Sequence, residues 1–420
     1  MRKNLLKIIQ WGLRVLARSK IRRSKPKIVA ISGSYGKTST KEAIFYVLSK
    51  KFGSDVGKNW GNMNSVLGLP LAILGLRSYS FGAGLLWDIL RAKWGYFFYN
   101  LPKILVLELG IDKPGEMAEL LSVVKPDIAV ITGISETHLL ELKSLSGVKK
   151  EKKMLIESLK KGGVAVLNAD DENSADIPLP TGAKKVTFGK KGEVSYRDLE
   201  ISISGSRFQL EISGKFLAVK SKLIGQHSIK IFLAAASVAR EFSIDPDEIV
   251  QALEEIRPQP GRMNPVKAKN EILVIDDSYN SNPYSAIEAL ETLSAIKWNG
   301  RKVAILGNMN ELGGYTQEGH LQVGEVAGKV VDFLVAVGDN AEYLARGAGK
   351  LGLSKDKVIT FKTTDEVIAQ LDKLLSAGDL VLVKASQNKM RFENIVKYLL
   401  DNSALAEKLL VRQDKKWEKK

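Results

Sequence analysis

Short runs of unalternated valine, isoleucine and leucine recur along this chain, and they constrain its fold more than any other feature. They are "KIVAIS", "ILVLELG", "DIAVITGIS", "VAVLNADD", "ILVIDDSYN", "VAILGNMNE", "FLVAVGDN" and "LVLVKAS". A strand with one wet face alternates polar and apolar side chains, whereas a strand covered on both faces does not. Helix-like segments stand between many of the runs, among them "TSTKEAIFYVLSKKF" and "SAIEALETLSAI". That alternation predicts parallel sheets with helices packed on them, so the expected fold class is α/β. Between Lys185 and Gln226 the texture changes. "LEISISGSRFQLEISGKFLAVK" alternates, with glycine at turns, and predicts an antiparallel hairpin or small sheet.

The 420 residues suffice for two or three domains at roughly 100–200 residues each. The best boundary is "EEIRPQPGRM", residues 254–263, with two prolines and a glycine. The expected organisation is a helix over 1–25, a domain over 26–258 with a mainly parallel sheet plus the small antiparallel one, a second, Rossmann-like α/β domain over 259–405, and a charged, solvated tail over 406–420. No cysteine is present, which excludes disulfides and thiolate metal sites. The net charge of +16 fits nucleic acid, anionic lipid or acidic small substrates. No nucleic-acid reading motif accompanies it.

Much of the positive excess lies at the start, where the first acidic residue is Glu42. Leu5, Ile9, Leu13 and Leu16 recur at helical spacing among Arg and Lys. Arg14 interrupts the apolar stretch and no small-residue cleavage site follows, so neither a transmembrane span nor a signal peptide is predicted. The segment reads as a basic amphipathic helix, with two destinations open: a membrane surface, or the protein's own core.

Polar residues follow the apolar runs. Glu108, Thr132, Asn168, Asp170, Asp276, Asp277, Asn308 and Lys384 stand at or just past their carboxyl ends, the edge at which open α/β sheets bind ligands. Strands end in polar residues for ordinary reasons too; the set as a whole points to a site.

One such end carries a nameable chemistry. In "AISGSYGKTSTKEAI", a buried-strand pattern runs into a glycine turn and then a helix. Backbone N–H groups and the helix dipole of such a junction face an anion. Lys37 is placed to neutralise phosphate and the Thr38 hydroxyl to bind Mg²⁺. The common phosphate loop, G-x-x-x-x-G-K-[ST], has its first glycine where Ile31 stands here, and Gly33 follows two residues later.

"GSYGKTST" resembles the shortened phosphate loop of the Mur ligase family. Further similarity runs in order through "GNMNSVLGLPLAIL", "LVLELGIDKPGEM", "ITGISETHL", "GVKKEKKMLIESL", "VLNADDE", "GQHSIKIFLAAASVA", "PGRM", "IDDSYNSNPYSAIEAL", "LGNMNELGGYTQEGH" and "VLVKASQNKMRFE", nearly residues 28 to 400. "DDSYNSNP" and "LGNMNELG" are most similar to members that add D-alanyl-D-alanine to a muramyl tripeptide. The resemblance implies a P-loop ATPase domain followed by a Rossmann-like ligase domain, and an ADP-forming amide (peptide) ligase of cell-wall peptidoglycan synthesis. ATP and Mg²⁺, in two sites, would be its cofactors, and a muramyl peptide and D-alanyl-D-alanine its substrates. A cytoplasmic monomer is expected, with peripheral membrane contact through residues 1–25. Alternatives are another amide ligase of the superfamily, making folate polyglutamate or an amino-acid polymer, and a non-catalytic P-loop binding module.

The resemblance also implies roles residue by residue. Gly33, Ser34, Tyr35, Gly36, Lys37, Thr38 and Ser39 form the phosphate loop. Thr38 and Glu108 hold the first Mg²⁺, and His138 lies near the second. Lys152 matches a lysine that is carbamylated in the family, which would make it an oxygen ligand for metal. It lies in "KKEKK", which otherwise reads as a solvated helix face, and only register after Gly147-Val148 favours it over Lys150 and Lys153. Asn62 and Asn64 match a motif near the transferred phosphate, and Arg262 an arginine that reaches terminal phosphate. Asp277, Asn280 and Asn282 face nucleotide, and Lys384 and Ser386 lie near substrate. Three departures accompany the match. A family domain that binds the uridine-diphosphate sugar is not expected within the short stretch before "KIVAIS", the family's "HN" is His227-Ser228 with Ile231 at a later asparagine, and "KGSR" is Lys384-Ala385-Ser386-Gln387.

Overall fold

The computed structural model describes residues 2–80, 84–136, 139–387, 390–413 and 417, with side chains from residue 6 onward. The chain divides into two compact units. The first comprises residues 1–197, 209–219 and 229–253, and the second residues 198–208, 220–228 and 254–420.

The first unit is built on a six-stranded parallel sheet. Its strands are β1 (Lys27–Ser32), β2 (Val56–Lys58), β3 (Ile104–Glu108), β4 (Ile128–Ile131), β5 (Val164–Asn168) and β6 (Lys184–Phe188). Their order is β2-β3-β1-β4-β5-β6, with every neighbouring pair parallel. In β1, β3 and β4 nearly every residue is buried, which is why these strands do not alternate. The unit's core gathers both strands and helices. Ile28, Ala30, Leu105, Leu107, Ala129 and Ile131 pack there with Leu13 and Ala17 of the N-terminal helix α1 (Arg2–Ser24).

β6 corrects the sequence expectation. Its residues fall where the alternating texture begins, yet Lys184–Phe188 pairs parallel to β5. It closes one edge of the sheet: Lys184 and Lys185 are exposed, and Val186 and Phe188 are buried on either side of half-buried Thr187. The three-stranded sheet begins only at β7 (Ser195–Ser202), followed by β8 (Gly205–Ile212) and β9 (Lys215–Ser221), in the order β7-β8-β9. Connections this short require antiparallel neighbours. Ser213 and Gly214 both take positive φ, 52° and 75°, the conformation of a type I′ hairpin turn.

The second unit holds another six-stranded sheet, of β10 (Asn264–Lys267), β11 (Leu273–Asp277), β12 (Lys302–Gly307), β13 (Phe333–Val337), β14 (Val358–Phe361) and β15 (Leu380–Lys384). The order is β10-β11-β15-β12-β13-β14; only β10 runs antiparallel to its neighbour. Successive residues feed opposite cores. Ala304, Leu306, Leu380 and Leu382 pack on one face, and Val303, Ile305, Val381 and Val383 on the other. Ala406 and Leu410 join the second of these cores, and the Trp417 carbonyl accepts a hydrogen bond from Arg391 at 2.7 Å.

All eight apolar runs are strands. Parallel registry also aligns their polar ends: Glu108 pairs with Ile31, and Lys384 with both Asp277 and Leu306.

Candidate active site

β1 ends at Ser32, the chain turns through Gly33-Ser34-Tyr35-Gly36, and the helix α2 (Lys37–Phe52) begins. The position of Ile31 explains the shortened motif. It lies inside β1, fully buried and paired with both Glu108 and Val130, so the loop starts two residues later. Gly33 is required there: at φ 155°, a Cβ would stand 1.9 Å from Thr132 Oγ1. Gly36 takes the left-handed conformation at φ 71° that opens the helix. The loop is tied to the end of β4. Ser34 N donates to the Gly133 carbonyl at 2.7 Å, Ser34 Oγ to the Ser135 carbonyl at 3.1 Å, and Thr132 Oγ1 to the Tyr35 carbonyl. The first hydrogen bond of α2 runs from Thr40 N to the Gly36 carbonyl. The first-turn N–H groups before it have no partner within the helix and form an anion cradle.

Two cations converge behind the loop. Lys37 Nζ donates to the Gly33 carbonyl at 2.7 Å, and Lys152 Nζ to the same oxygen at 2.9 Å. Lys152 is 1% exposed. Burial first, and then the nearby Lys37 charge, holds its amine well below the ordinary lysine range. Lys150, by contrast, is exposed, and Lys153 pairs with Glu157 at 2.9 Å on the surface. Of the lysines in "KKEKK" only Lys152 is buried, and it reaches the phosphate loop.

Glu108 faces the first turn of α2. It is 2% exposed. Its Oε1 accepts from Thr38 Oγ1 at 3.2 Å and from Asn64 Nδ2 at 2.8 Å. Its Oε2 has no hydrogen bond among the described residues and lies 3.5 Å from Lys41 Nζ. A buried carboxylate oxygen without a donor is costly, and a hydroxyl beside a carboxylate is a hard-oxygen set suited to Mg²⁺. Few protein ligands are needed, since Mg²⁺ commonly keeps waters and phosphate oxygens; among the described residues no trio of His, Asp or Glu stands as a metal cluster.

Two residues outside the sequence expectation complete this corner. Lys41 is fully buried between Glu108 and Glu42, at 3.5 and 3.4 Å. Asn59, also buried, ties β2 to β3: Asn59 Nδ2 donates to the Glu108 carbonyl and Glu108 N donates to Asn59 Oδ1, each at 2.9 Å. Asn59 begins the stretch that continues to Asn62 and Asn64, so proximity in sequence was the available signal. Nothing in the sequence separates Lys41 from a helix-surface lysine. Asn64 is in the site, Asn62 is exposed nearby, and Ser39 lies half-buried one residue beyond Thr38. His138 lies outside the described residues.

The second unit gathers its own set at the ends of β11 and β15. Lys384, 2% exposed, pairs with Asp277 Oδ2 at 2.6 Å and donates to the Asn280 carbonyl at 2.9 Å. Asp277 Oδ1 accepts from Met263 N at 3.1 Å. Asn280 Oδ1 accepts from Gln387 N at 3.4 Å. Ser386 Oγ donates to the Ser281 carbonyl and accepts from Asn310 N, both at 2.9 Å. Asn282 is engaged in capping: its Oδ1 accepts from Ser285 N at 2.9 Å at the start of the helix Pro283–Ala295. Arg262 stacks its guanidinium 4.2 Å from the Tyr279 ring centre. Beneath them Asp276 is fully buried, accepting from Gly261 N at 3.0 Å and Ser278 N at 3.1 Å. Burial raises its pKa to about 6.

A phosphate loop with a buried carboxylate at its mouth defines a nucleotide-using enzyme class, and the comparisons with known proteins say which. Residues 31–239 match the Mur ligase middle domain, and residues 261–387 the domain described as Mur ligase, glutamate ligase domain. The chain belongs to the Mur ligase family. It is 28% identical to the UDP-N-acetylmuramoyl-tripeptide--D-alanyl-D-alanine ligase of Bacillus subtilis, over 93% of this chain and 79% of that protein. Among solved structures, MurF from Acinetobacter baumannii matches with a TM-score of 0.80 and 26% identity, over 94% of this chain and 81% of that one. MurF ligase from Thermotoga maritima, in complex with ADP, matches at 0.77 and 27%, over 95% and 84%.

Proposed function

We propose that this protein is an ATP-dependent, ADP-forming ligase that joins D-alanyl-D-alanine to a muramyl tripeptide in peptidoglycan synthesis. The observation that carries the reading is Glu108, buried without a full set of donors against Thr38 at the mouth of the phosphate loop, in a chain similar to ligases of that name. The substrate carboxylate attacks the γ-phosphorus of ATP, forming an acyl phosphate and releasing ADP. The dipeptide amine then attacks the acyl carbon, and the tetrahedral adduct expels phosphate to leave the amide. Charge on the moving phosphoryl group must be neutralised throughout. Lys37 and the first-turn N–H groups of Lys37, Thr38 and Ser39 supply that neutralisation, with Gly33, Ser34, Tyr35 and Gly36 shaping the turn.

Thr38 and Glu108 would hold Mg²⁺, which would offset phosphate charge when bound; His138 is assigned to a second such site. We assign Lys152 as a carbamylated lysine. A buried amine held below its ordinary pKa is neutral for more of the time, and a neutral amine is the form that reacts with carbon dioxide. Asn62 and Asn64 are assigned to the transferring phosphate. Arg262, Asp277, Asn280 and Asn282 are assigned to nucleotide, and Lys384 and Ser386 to the incoming dipeptide. The boundary between the ATP-using and ligase domains is proposed to lie at residues 254–263.

The reading includes cytoplasmic action as a monomer, with peripheral membrane contact through residues 1–25. No helix among the described residues is long and apolar enough to cross a membrane. The test is phosphate release with ATP and Mg²⁺ across a panel of muramyl peptides, amino acids and dipeptides, with the amide product identified by mass. Turnover with D-alanyl-D-alanine and the tripeptide acceptor is expected. Turnover only with glutamate and a folate acceptor would replace this reading by the folate one.

A further inference from the structure

The helix α4 (Gly84–Phe98), "GLLWDILRAKWGYFF", is apolar on the side that faces away from the protein. Its inward face is small and polar. Ala92 and Gly95 are buried, and a Cβ on Gly95 would lie 1.9 Å from the Leu74 carbonyl oxygen. Asp88 is buried beside them, accepting from Ser80 N at 2.6 Å. The outward face carries Leu86, Trp87, Leu90, Trp94, Phe97 and Phe98, each more than half exposed. At 3.6 residues per turn these six fall on one arc of roughly 120°. Arg91 and Lys93, both exposed, flank the arc. The rings stack on one another and not on the core, with Trp94 and Phe98 centroids 4.3 Å apart.

α1 lies against α4. Lys20 Nζ, buried, donates to the carbonyls of Gly95 at 2.7 Å and Tyr96 at 2.8 Å. Ser19 Oγ and Tyr96 Oη are 2.9 Å apart, and the Arg23 guanidinium is 5.6 Å from the Tyr96 ring. α1 has its own outward stripe at i, i+3, i+7 and beyond: exposed Ile8, Trp11 and Val15, continuing as exposed Arg18 and Arg22.

We propose that α4, together with the outward stripe of α1, is an interfacial surface that inserts into an anionic lipid bilayer. The inference deepens the membrane contact proposed for residues 1–25 and moves its main anchor to α4; it does not depend on which amide the enzyme forms. Large exposed apolar patches mark docking sites, and charge complementarity selects the occupant here. The aromatic arc is bordered by cations, with no acidic residue exposed on either stripe. Trp and Phe sit at the boundary between headgroups and acyl chains, while Arg and Lys reach lipid phosphate. A second copy fits poorly, because a two-fold contact brings each patch onto itself and sets Arg91, Lys93, Arg18 and Arg22 against their own kind. α4 has 15 residues, too few to span a bilayer, so it lies in the plane of the interface.

The full-length protein is sedimented with vesicles of phosphatidylcholine alone or mixed with phosphatidylglycerol. It should pellet with the anionic vesicles at low salt and be released by high salt, and brominated lipid should quench its tryptophan fluorescence. Leu90→Glu/Trp94→Glu/Phe97→Glu, at surface positions, should lower vesicle partition by at least roughly tenfold and leave ATP-coupled ligation of soluble substrates unchanged. Trp11→Glu/Val15→Glu should lower it less. If the α4 variant pellets like the wild type while the α1 variant does not, α4 is no anchor and contact through residues 1–25 stands alone. If the wild type binds neither vesicle and bromolipid leaves its fluorescence intact, both membrane readings fall. A dimer in equilibrium sedimentation, dissolved by the α4 variant and indifferent to vesicles, would assign the surface to a second copy and overturn the proposal.

Discussion

Lys37 and Lys152 share one acceptor, the Gly33 carbonyl, but differ in what surrounds them. Lys37 is half-exposed at the loop's open side, where a phosphoryl group arrives, and Lys152 is sealed beneath it. Lys37→Ala should therefore lower turnover about 10²–10³-fold, the loss typical of one preorganised donor, in a protein whose melting temperature is little changed. Lys152→Ala should also abolish ligation, and a short carboxylic acid should restore part of it by returning the oxygens that a carbamate would supply. Bicarbonate alone should restore nothing, and a mass spectrum of the native protein under carbon dioxide reports the adduct directly. Asp276 makes a different prediction. Its folded pKa of about 6 is above the ordinary value of 3.8, so the folded state holds the proton more tightly than the unfolded one. Stability is then lost as pH rises from about 4 through 6, by at most roughly 3 kcal/mol. Denaturation of wild type and Asp276→Asn compared across that window should show the variant gaining relative stability as pH rises. A constant difference would mean that Asp276 titrates normally.

At the scale of elements, the loop between β1 and α2 is set by what the end of β4 leaves free. Gly33→Ala places a methyl on Thr132 Oγ1, and such overpacking costs roughly 1–3 kcal/mol. Thr132→Ala in the same chain should recover part of that loss, as chemical denaturation would show. α1 has two unlike faces. Leu13 and Ala17 are in the core, with Ile9 and Leu16 partly buried against it; the side chain of Leu5 lies outside the described residues. The apolar spacing visible in the sequence is therefore the packing face, and the stripe left for a membrane is Ile8, Trp11 and Val15. Leu13→Ala should cost about 2–5 kcal/mol, whereas Trp11→Ala should change stability by no more than roughly 0.5 kcal/mol.

For the whole molecule, nucleotide binding to the native state alone should raise the melting temperature with ligand concentration. The rise with ATP and Mg²⁺ should shrink in Lys37→Ala and in Glu108→Gln, which would report binding independently of turnover. What the sequence by itself determined is what local spacing encodes. Unalternated runs require strands covered on both faces, and the glycines of "GSYGKTST" are legible because only they relieve a left-handed turn and a close approach. Burial is different, because it is a relation between segments remote in the chain. Lys152 and Lys150 are chemically equal in "KKEKK", and only packing of the Leu145–Glu157 helix over the loop chooses one. Lys41 and Asn59 acquire meaning only when β3 brings Glu108 to them. α4 shows the reverse case: its tryptophans and phenylalanines have the composition of a core, but the Leu74 backbone approaches so closely at Gly95 that no side chain fits there, and Asp88 and Ala92 are the other residues buried on that face. The tertiary contact takes the small residues inward, and so the large ones are left facing out.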